Sequence, residues 1–510
     1  MRSPWTSRSI VGALVAGSAW LYACSGPEFS SLFQDNPGGG APSSGGTLSH
    51  GGTSSNGGAS GSSSVGGFDG EAGSPSAGAD SGEGGGGGGE LNCFPLKAGD
   101  AKALFVTSEG EDGPTCGSRD FPCRSVQVAI DRAALSSGIE RVYVATGVYA
   151  ESLELRAGVT VEGGVSAFGA PGAFEWTLAC SHEDRVVITG AEGAGQTVLA
   201  KDLFGEARLE KLTLKTPPAG PSESTFGVKA LGESTKLVLT AVEVLPEKGG
   251  DGEDGARGAE GESGGTACEP GDAALGADGD GAPGPLTGEF DPELGFVPAD
   301  GADGAPGGAG ESGVAAANGS CVNCYTCTNL AVCLQAAAPP SCGQPGTSGC
   351  GGKGGGGGGK GGGGGSSVAL FAVDSRVEVR GGALVAGDGG RGGKGGEGGP
   401  PGPGGEGETG ESGPLCRAQP CDLLLCSSSG GQGSGSGSAG TQGGRGGYGG
   451  YGSGGSGGHS FAIVELGSAQ VKLFDAPRVD HGKAGRGGCP AGEPSDSPGC
   501  GADGLSGERY

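Results

Sequence analysis

Aromatic side chains are scarce in this chain of 510 residues, with 3 Trp, 7 Tyr and 15 Phe, and there is a single Met. So little aromatic surface leaves few platforms for stacking sugars or bases. Basic residues are also in short supply: 31 Lys and Arg face 58 Asp and Glu, for a net charge of −27. That balance argues against a nucleic-acid partner, whose phosphates need a basic face, and fits a soluble, self-repelling surface. Four histidines (His50, His182, His459 and His481) are scattered without a ligand spacing. Glycine runs such as Gly354–Gly359 lack the strand-to-helix context of a phosphate loop.

What the chain has instead is 125 glycines and 17 cysteines. Its apolar residues are concentrated between Leu104 and Leu245, with two later islands near 368–386 and 461–479. One core assembled from those parts is expected, not several domains with separate interiors. A unit recurs three times, at Val228 to Gly249, Val368 to Gly389 and Phe461 to Gly482, and is read as aligning without a gap. Each copy has an apolar segment, a break, and a second alternating strand: Leu237-Val-Leu, Val377-Glu-Val and Val471-Lys-Leu. Alternation turns Val377, Val379, Val471 and Leu473 inward, with Glu378 and Lys472 outward. Stacked units share a continuous core, so copies separated by long insertions can still be neighbours.

The N-terminus reads as an address. Arg2 and Arg8 precede an apolar run, Ile10 to Ala23, too short to span a bilayer but suited to a signal-peptide core. Leu21-Tyr22-Ala23-Cys24 resembles the bacterial lipobox, which implies lipidation at Cys24 and attachment to a membrane through that anchor. Ser25 in the next position implies the outer membrane, on its extracytoplasmic side. Setting Cys24 aside leaves sixteen cysteines, an even set in an oxidising compartment. The Gly/Ser-rich stretch from Ser30 to Glu90 reads as a flexible tether spanning about 40 Å.

The folded body is expected from about Leu91. Strand signals fall at Leu104-Phe-Val, Val142-Tyr-Val, Leu153-Glu-Leu, Val159-Thr-Val, Val186-Val-Ile, Thr197-Val-Leu and Leu209 to Leu214. A short helix is expected from an N-cap at Ser125 to a stop at Gly138, burying Val126, Ala129, Ile130, Ala133 and Ala134. The run Phe105-Val-Thr, Gly110 to Pro122, Ile130, Val142-Tyr-Val-Ala-Thr-Gly-Val-Tyr-Ala-Glu151 and Gly158 to Gly164 resembles the opening of pectate-lyase-like proteins. The resemblance implies an all-β, right-handed parallel β-helix whose helix caps one end. Where that family has Pro-Phe-x-Thr, this chain has Pro122-Cys-Arg-Ser, placing a cysteine at an apolar position. The organisation read from these signals is 1–23 signal peptide, 24–90 lipidated cysteine and tether, 91–249 body, 250–365 insertion, 366–388 rung, 389–458 insertion, 459–482 rung and 483–510 tail.

Within the insertions glycine recurs every third residue, at 249–264, 301–313 and 387–405. Three states fit this period: a disordered acidic chain, a bundle of polyproline-II-like strands, or a collagen triple helix. The tracts also resemble those of PGRS-type glycine-rich surface proteins. The first insertion carries Cys268, Cys321, Cys324, Cys327, Cys333, Cys342 and Cys350; the second carries Cys416, Cys421 and Cys426. If these pair only among themselves, an odd number of bridges joins the two insertions. Cys489 would then pair with Cys500, leaving Cys93, Cys116, Cys123 and Cys180 to the N-terminal body.

Two functions compete. The first is a non-enzymatic, structural or adhesive surface lipoprotein, with a glycan or a surface protein as partner. The second is a polysaccharide-binding protein, lyase or hydrolase, for which outward Glu154, Arg156, Arg208, Glu210 and Lys211 are candidates. No cofactor is expected. Calcium at Asp278-Gly-Asp-Gly or Asp300-Gly-Ala-Asp is a minor alternative, since neither extends into a calcium-binding nonapeptide frame. Tyr448 and Tyr451 are candidate adhesive contacts.

Overall fold

The computed structural model describes residues 102–170, 172–178, 185–322, 340–415 and 434–510, all within a compact unit spanning Gly86–Tyr510. The signal peptide, Cys24, the tether, Cys93, His50 and His182 lie outside the described residues. Among the described residues the fold is all-β with parallel sheets, one helix and no closed barrel.

The chain starts with β1 (Ala103–Val106) and α1 (Val126–Leu135), then runs in circuits. The first circuit is β2 (Arg141–Ala145), β3 (Gly147–Ala150) and β4 (Leu153–Glu154). The second is β5 (Thr160–Phe168), an antiparallel partner β6 (Glu175–Leu178), β7 (Val186–Thr189) and β8 (Gln196–Lys201). The third is β9 (Gly205–Glu210), β10 (Thr213–Lys215) and β11 (Thr225–Leu231). In the fourth, β12 (Thr235–Thr240) and β13 (Glu243–Leu245) precede the first insertion. That insertion contains hairpins β14–β15 (Glu289–Asp291, Gly295–Val297) and β16–β17 (Cys321–Val322, Ser341–Cys342) and ends at β18 (Ser367–Val373). The fifth is β19 (Arg376–Arg380), β20 (Ala383–Val385) and, after the second insertion, β21 (Ser460–Leu466). The last is β22 (Gln470–Phe474), β23 (Arg478–Asp480) and β24 (Ser506–Arg509).

Each circuit supplies one strand to each of three sheets. Their orders are β1-β2-β5-β9-β12-β19-β22, then β3-β7-β10-β13-β20-β23, then β4-β8-β11-β18-β21-β24. The widely separated islands do stack: Val228 pairs with Leu370, and Leu237 with Val377 across their sheet. The ungapped alignment needs correction. Val228 lies opposite Leu370 and not Val368, and Val377 lies opposite Val471 although Val368 lies opposite Phe461. The corners between strands absorb the one- and two-residue differences, so each strand keeps its inward face. The run Leu209 to Leu214 is likewise two strands in two sheets, separated at Lys211 (φ 56°). The terminal segment is not a plain tail, since β24 returns to pair with β21.

The interior is aliphatic: Leu237, Leu239, Val377, Val379, Leu384 and Ile463 are buried, and Tyr149 is the one aromatic in the main cluster. Helix α1 covers one end with Val126, Ala129, Ile130 and Ala133; Ala134, expected on this face, is exposed. Ser125 occupies the N-cap without capping through its side chain. Instead Glu151 accepts the N–H groups of Val126 (2.8 Å) and Gln127 (2.9 Å), satisfying two of the orphan donors of the first turn. The Tyr149 hydroxyl donates to the Ala145 carbonyl at 2.8 Å. Strand β3 and the residue after it, Gly147-x-Tyr149-x-Glu151, thus place one side chain in the core and the other on the helix end.

Both insertions and the tail leave after a strand of the second sheet and return to a strand of the third. The outgoing tracts stack in parallel like the strands they extend: Gly252, Gly255, Gly258, Gly261 and Gly264 donate to carbonyls of Arg391, Lys394, Glu397, Pro400 and Pro403 at 2.7–2.9 Å. Gly389 and Gly392 donate in turn to Lys483 and Arg486 at 2.8 Å. Returning tracts do the same: Gly364 donates to Ser456 (2.8 Å) and Gly457 to Ala502 (2.9 Å). Outgoing and returning tracts then pair antiparallel, as in Gly362 to Glu253 and Gly393 to Gly362, both 2.8 Å. One bond per three residues is the period of polyproline-II strands. Of the three states considered, the described tracts form the bundle. They are neither disordered nor a collagen triplex, which joins three parallel chains.

Glycine is required because the tracts touch backbone to backbone. A Cβ on Gly396 would lie within 3.0 Å of backbone atoms of Ala256 and Gly359, which cannot swing away. Gly113 has nothing within 4 Å of that position. Gly396→Ala is therefore expected to cost on the order of 3 kcal/mol and lower the melting temperature by several degrees, whereas Gly113→Ala should melt with the unaltered protein. Equal melting of the two variants would refute close packing of the tracts.

Candidate functional site

The charged residues proposed for chemistry are not brought together. Glu154 belongs to the third sheet, with Arg156 just beyond it, whereas Arg208 and Glu210 are on the first sheet with Lys211 at its corner. Arg156 pairs with Glu154 and, at 3.0 Å, with Asp131. Arg208 pairs with Glu206. Lys211 reaches Glu162 at 2.8 Å, and Arg141 pairs with Glu162 and lies 3.6 Å from Glu210. Burial opposes the charge on Arg141, but the adjacent carboxylates outweigh it and hold its pKa above the ordinary value. Each of these carboxylates is matched by a base, so the cluster offers no free acid–base pair and works as a charge-neutral ladder across β2, β5 and β9.

Aspartates in the glycine tracts have a backbone role. Carboxylates of Asp251, Asp254, Asp388, Asp278 and Asp303 accept N–H groups of Arg391, Lys394, Lys483, Tyr448 and Lys360 at 2.7–2.8 Å. Asp300 accepts from Gly363 at 2.9 Å and from the Lys360 ammonium at the same distance. At the rim of the bundle, where a neighbouring tract is missing, the short Asp side chain substitutes for its carbonyl. Burial would raise the Asp300 pKa, yet these donors keep it below the usual range. Of the two calcium candidates, Asp278 and Asp300 are thus already committed to donors. Elsewhere Asp112 lies within 4.8 Å of the Cys116 and Cys123 sulfurs. Both sulfurs are in a disulfide, and Asp112 is held by Ser125 and the Arg124 N–H.

Among the described residues, disulfides join Cys116–Cys123, Cys268–Cys350, Cys321–Cys342 and Cys489–Cys500. The bridge to Cys342 takes Cys321 out of the metal-like spacing it forms with Cys324 and Cys327. Those two, with Cys180, Cys333, Cys416, Cys421 and Cys426, lie outside the described residues, and so does any bridge between the insertions. Tyr448 is half exposed, with the Arg445 guanidinium 5.2 Å from its ring centre. Tyr451 packs its ring over Gly281 and Gly499.

An aromatic cluster on the outer face of the third sheet was not legible as such. Hairpin β14–β15 brings Phe290 and Phe296 onto Phe226, Phe371 and Phe461, with Tyr510 beside them. His459 is buried among these rings, 4.8 Å from Phe296 and 5.5 Å from Phe290, and its Nδ1 accepts the Leu505 N–H at 3.0 Å. The only signal in the sequence was that His459 opens the last rung, 459–482.

Desolvation pushes the His459 pKa down to about 4 from the ordinary 6.5. The unfolded chain therefore takes up the proton first, and this residue's stabilisation, complete above 6.5, is lost as pH falls towards 4. The loss amounts to roughly 3 kcal/mol. His459→Asn, which keeps an acceptor near Nδ1, should show a smaller fall in melting temperature between about pH 7 and 4.5 than the unaltered protein. Identical pH profiles would show that His459 does not carry this dependence.

No family model, curated protein or solved structure matches the chain.

Proposed function

We propose that the chain is a cell-surface lipoprotein of structural or adhesive role: a right-handed parallel β-helix, anchored through Cys24, that presents a rigid glycine platform. The observation that carries this reading is the platform. Tracts from three successive circuits are hydrogen-bonded into one body beside the stacked sheets, giving an extended surface whose charged side chains stand on a backbone lattice. The ion-paired carboxylates favour this over hydrolysis or lyase chemistry, in which an acid or base must be free to exchange a proton.

The test is expression of the full chain in a Gram-negative host with labelled palmitate. Label should enter the protein, disappear in Cys24→Ser, and the body should be released from intact cells by external protease. Unchanged labelling of Cys24→Ser, or full protection of the body, would reject the reading. Release of unsaturated sugar from polygalacturonate, with or without calcium, would favour the lyase.

A further inference from the structure

An open trough of about 970 Å³ runs along the platform beside the second sheet. Its floor is two parallel tracts, joined where Gly389 and Gly392 donate to Lys483 and Arg486. One tract carries Arg391 and Lys394 and the other Lys483 and Arg486; all four are exposed. Lys248 stands at the sheet end, paired with Asp251 at 2.5 Å. The loop closed by Cys489–Cys500 forms the opposite wall. Five bases line the trough against Asp388 and Glu493, and one Asp388 oxygen is occupied by the Lys483 N–H. Among the described residues, none of Arg391, Lys394, Lys483 and Arg486 is in an ion pair. Elsewhere on the bundle Arg257 pairs with Glu397, Lys353 with Glu262 and Lys360 with Asp300, while Arg445 lies over the Tyr448 ring.

We propose that this trough binds a linear polyanionic glycan through its carboxylates. A concentration of unpaired bases in a chain of net charge −27 marks a local attraction for anions within a field that repels them. On each tract the bases are three residues apart, which at about 3.1 Å per residue puts positive charges roughly 9 Å apart along two parallel lines. That matches a sparsely charged polymer. Duplex DNA carries a charge about every 1.7 Å of axis and would extend onto the acidic surface around the trough. Single-stranded nucleic acid and neutral glycans depend on aromatic stacking, and none of the residues lining the trough is aromatic. Rigidity helps, because the backbone lattice holds the bases in place before any ligand arrives.

The proposal deepens the surface-contact reading by naming its partner, and the two fail separately, since Cys24→Ser protein should bind the glycan as well as the unaltered chain. The experiment is calorimetric titration of the full chain in detergent with polygalacturonate, dextran and single-stranded DNA. Polygalacturonate alone should bind, more weakly as salt rises. Replacing Arg391, Lys394, Lys483 and Arg486 by Ser should weaken it about tenfold or more, with Arg257→Ser/Lys353→Ser unchanged. Should the fourfold variant not melt cooperatively, Arg391→Gln and Arg486→Gln are measured singly, and each should weaken binding. Absence of polygalacturonate binding, affinity insensitive to these substitutions, or equal or tighter binding of DNA would overturn the proposal.

Discussion

Backbone amides meeting backbone carbonyls across bare Cα atoms are the constraint on which the rest of the molecule depends. Beyond the corner between the second and third sheets there is no interior in which side chains could be buried. Outgoing and returning tracts therefore meet directly, and every polar backbone group there needs a partner from a neighbouring tract. The partners exist only because the stacked strands deliver each tract at the register of the one before it. Glycine makes the approach possible and carries the highest ordering entropy of any residue. The dense hydrogen bonding, with disulfides such as Cys268–Cys350 limiting the unfolded chain, offsets that cost.

The number of neighbours a tract has decides how much glycine it contains. The tract through 349–365 touches four others, receiving or giving bonds at Gly250, Gly390, Gly301 and Ser456, and it is almost pure glycine. Tracts at the rim keep one glycine in three and spend the other places on Asp, Glu and Lys. There Asp closes the open side of the lattice and bases project outwards. The same logic explains the scarcity of aromatics. The stacked interior is narrow and takes aliphatic side chains, while the aromatics are used on outer faces, Phe105, Tyr143 and Trp176 under hairpin β5–β6 and the Phe290 cluster under β14–β15.

Much of this could be read from residue order because its causes are local. Alternation in Val377-Glu-Val and Val471-Lys-Leu is a property of a few adjacent residues, and so is the cap-side face of α1. Register was harder to read. The two-residue offset at Val228 and the drift of one residue at each corner of the last circuit arise from loop lengths, which pattern matching treats as free. Second glycines in the triplets mark, in three dimensions, tracts packed on more than one side. The Glu151 cap and the position of His459 rest on contacts between segments far apart in the chain.

By itself the sequence determined that the chain is built of strands, that its apolar islands share one core, and that a three-residue glycine period governs the insertions. Each of these follows from the stereochemistry of short segments. Tertiary structure alone decided which tracts become neighbours, which acids accept backbone donors from them, and where unpaired bases gather. Those outcomes depend on stacking circuits in register, which brings together residues more than a hundred positions apart.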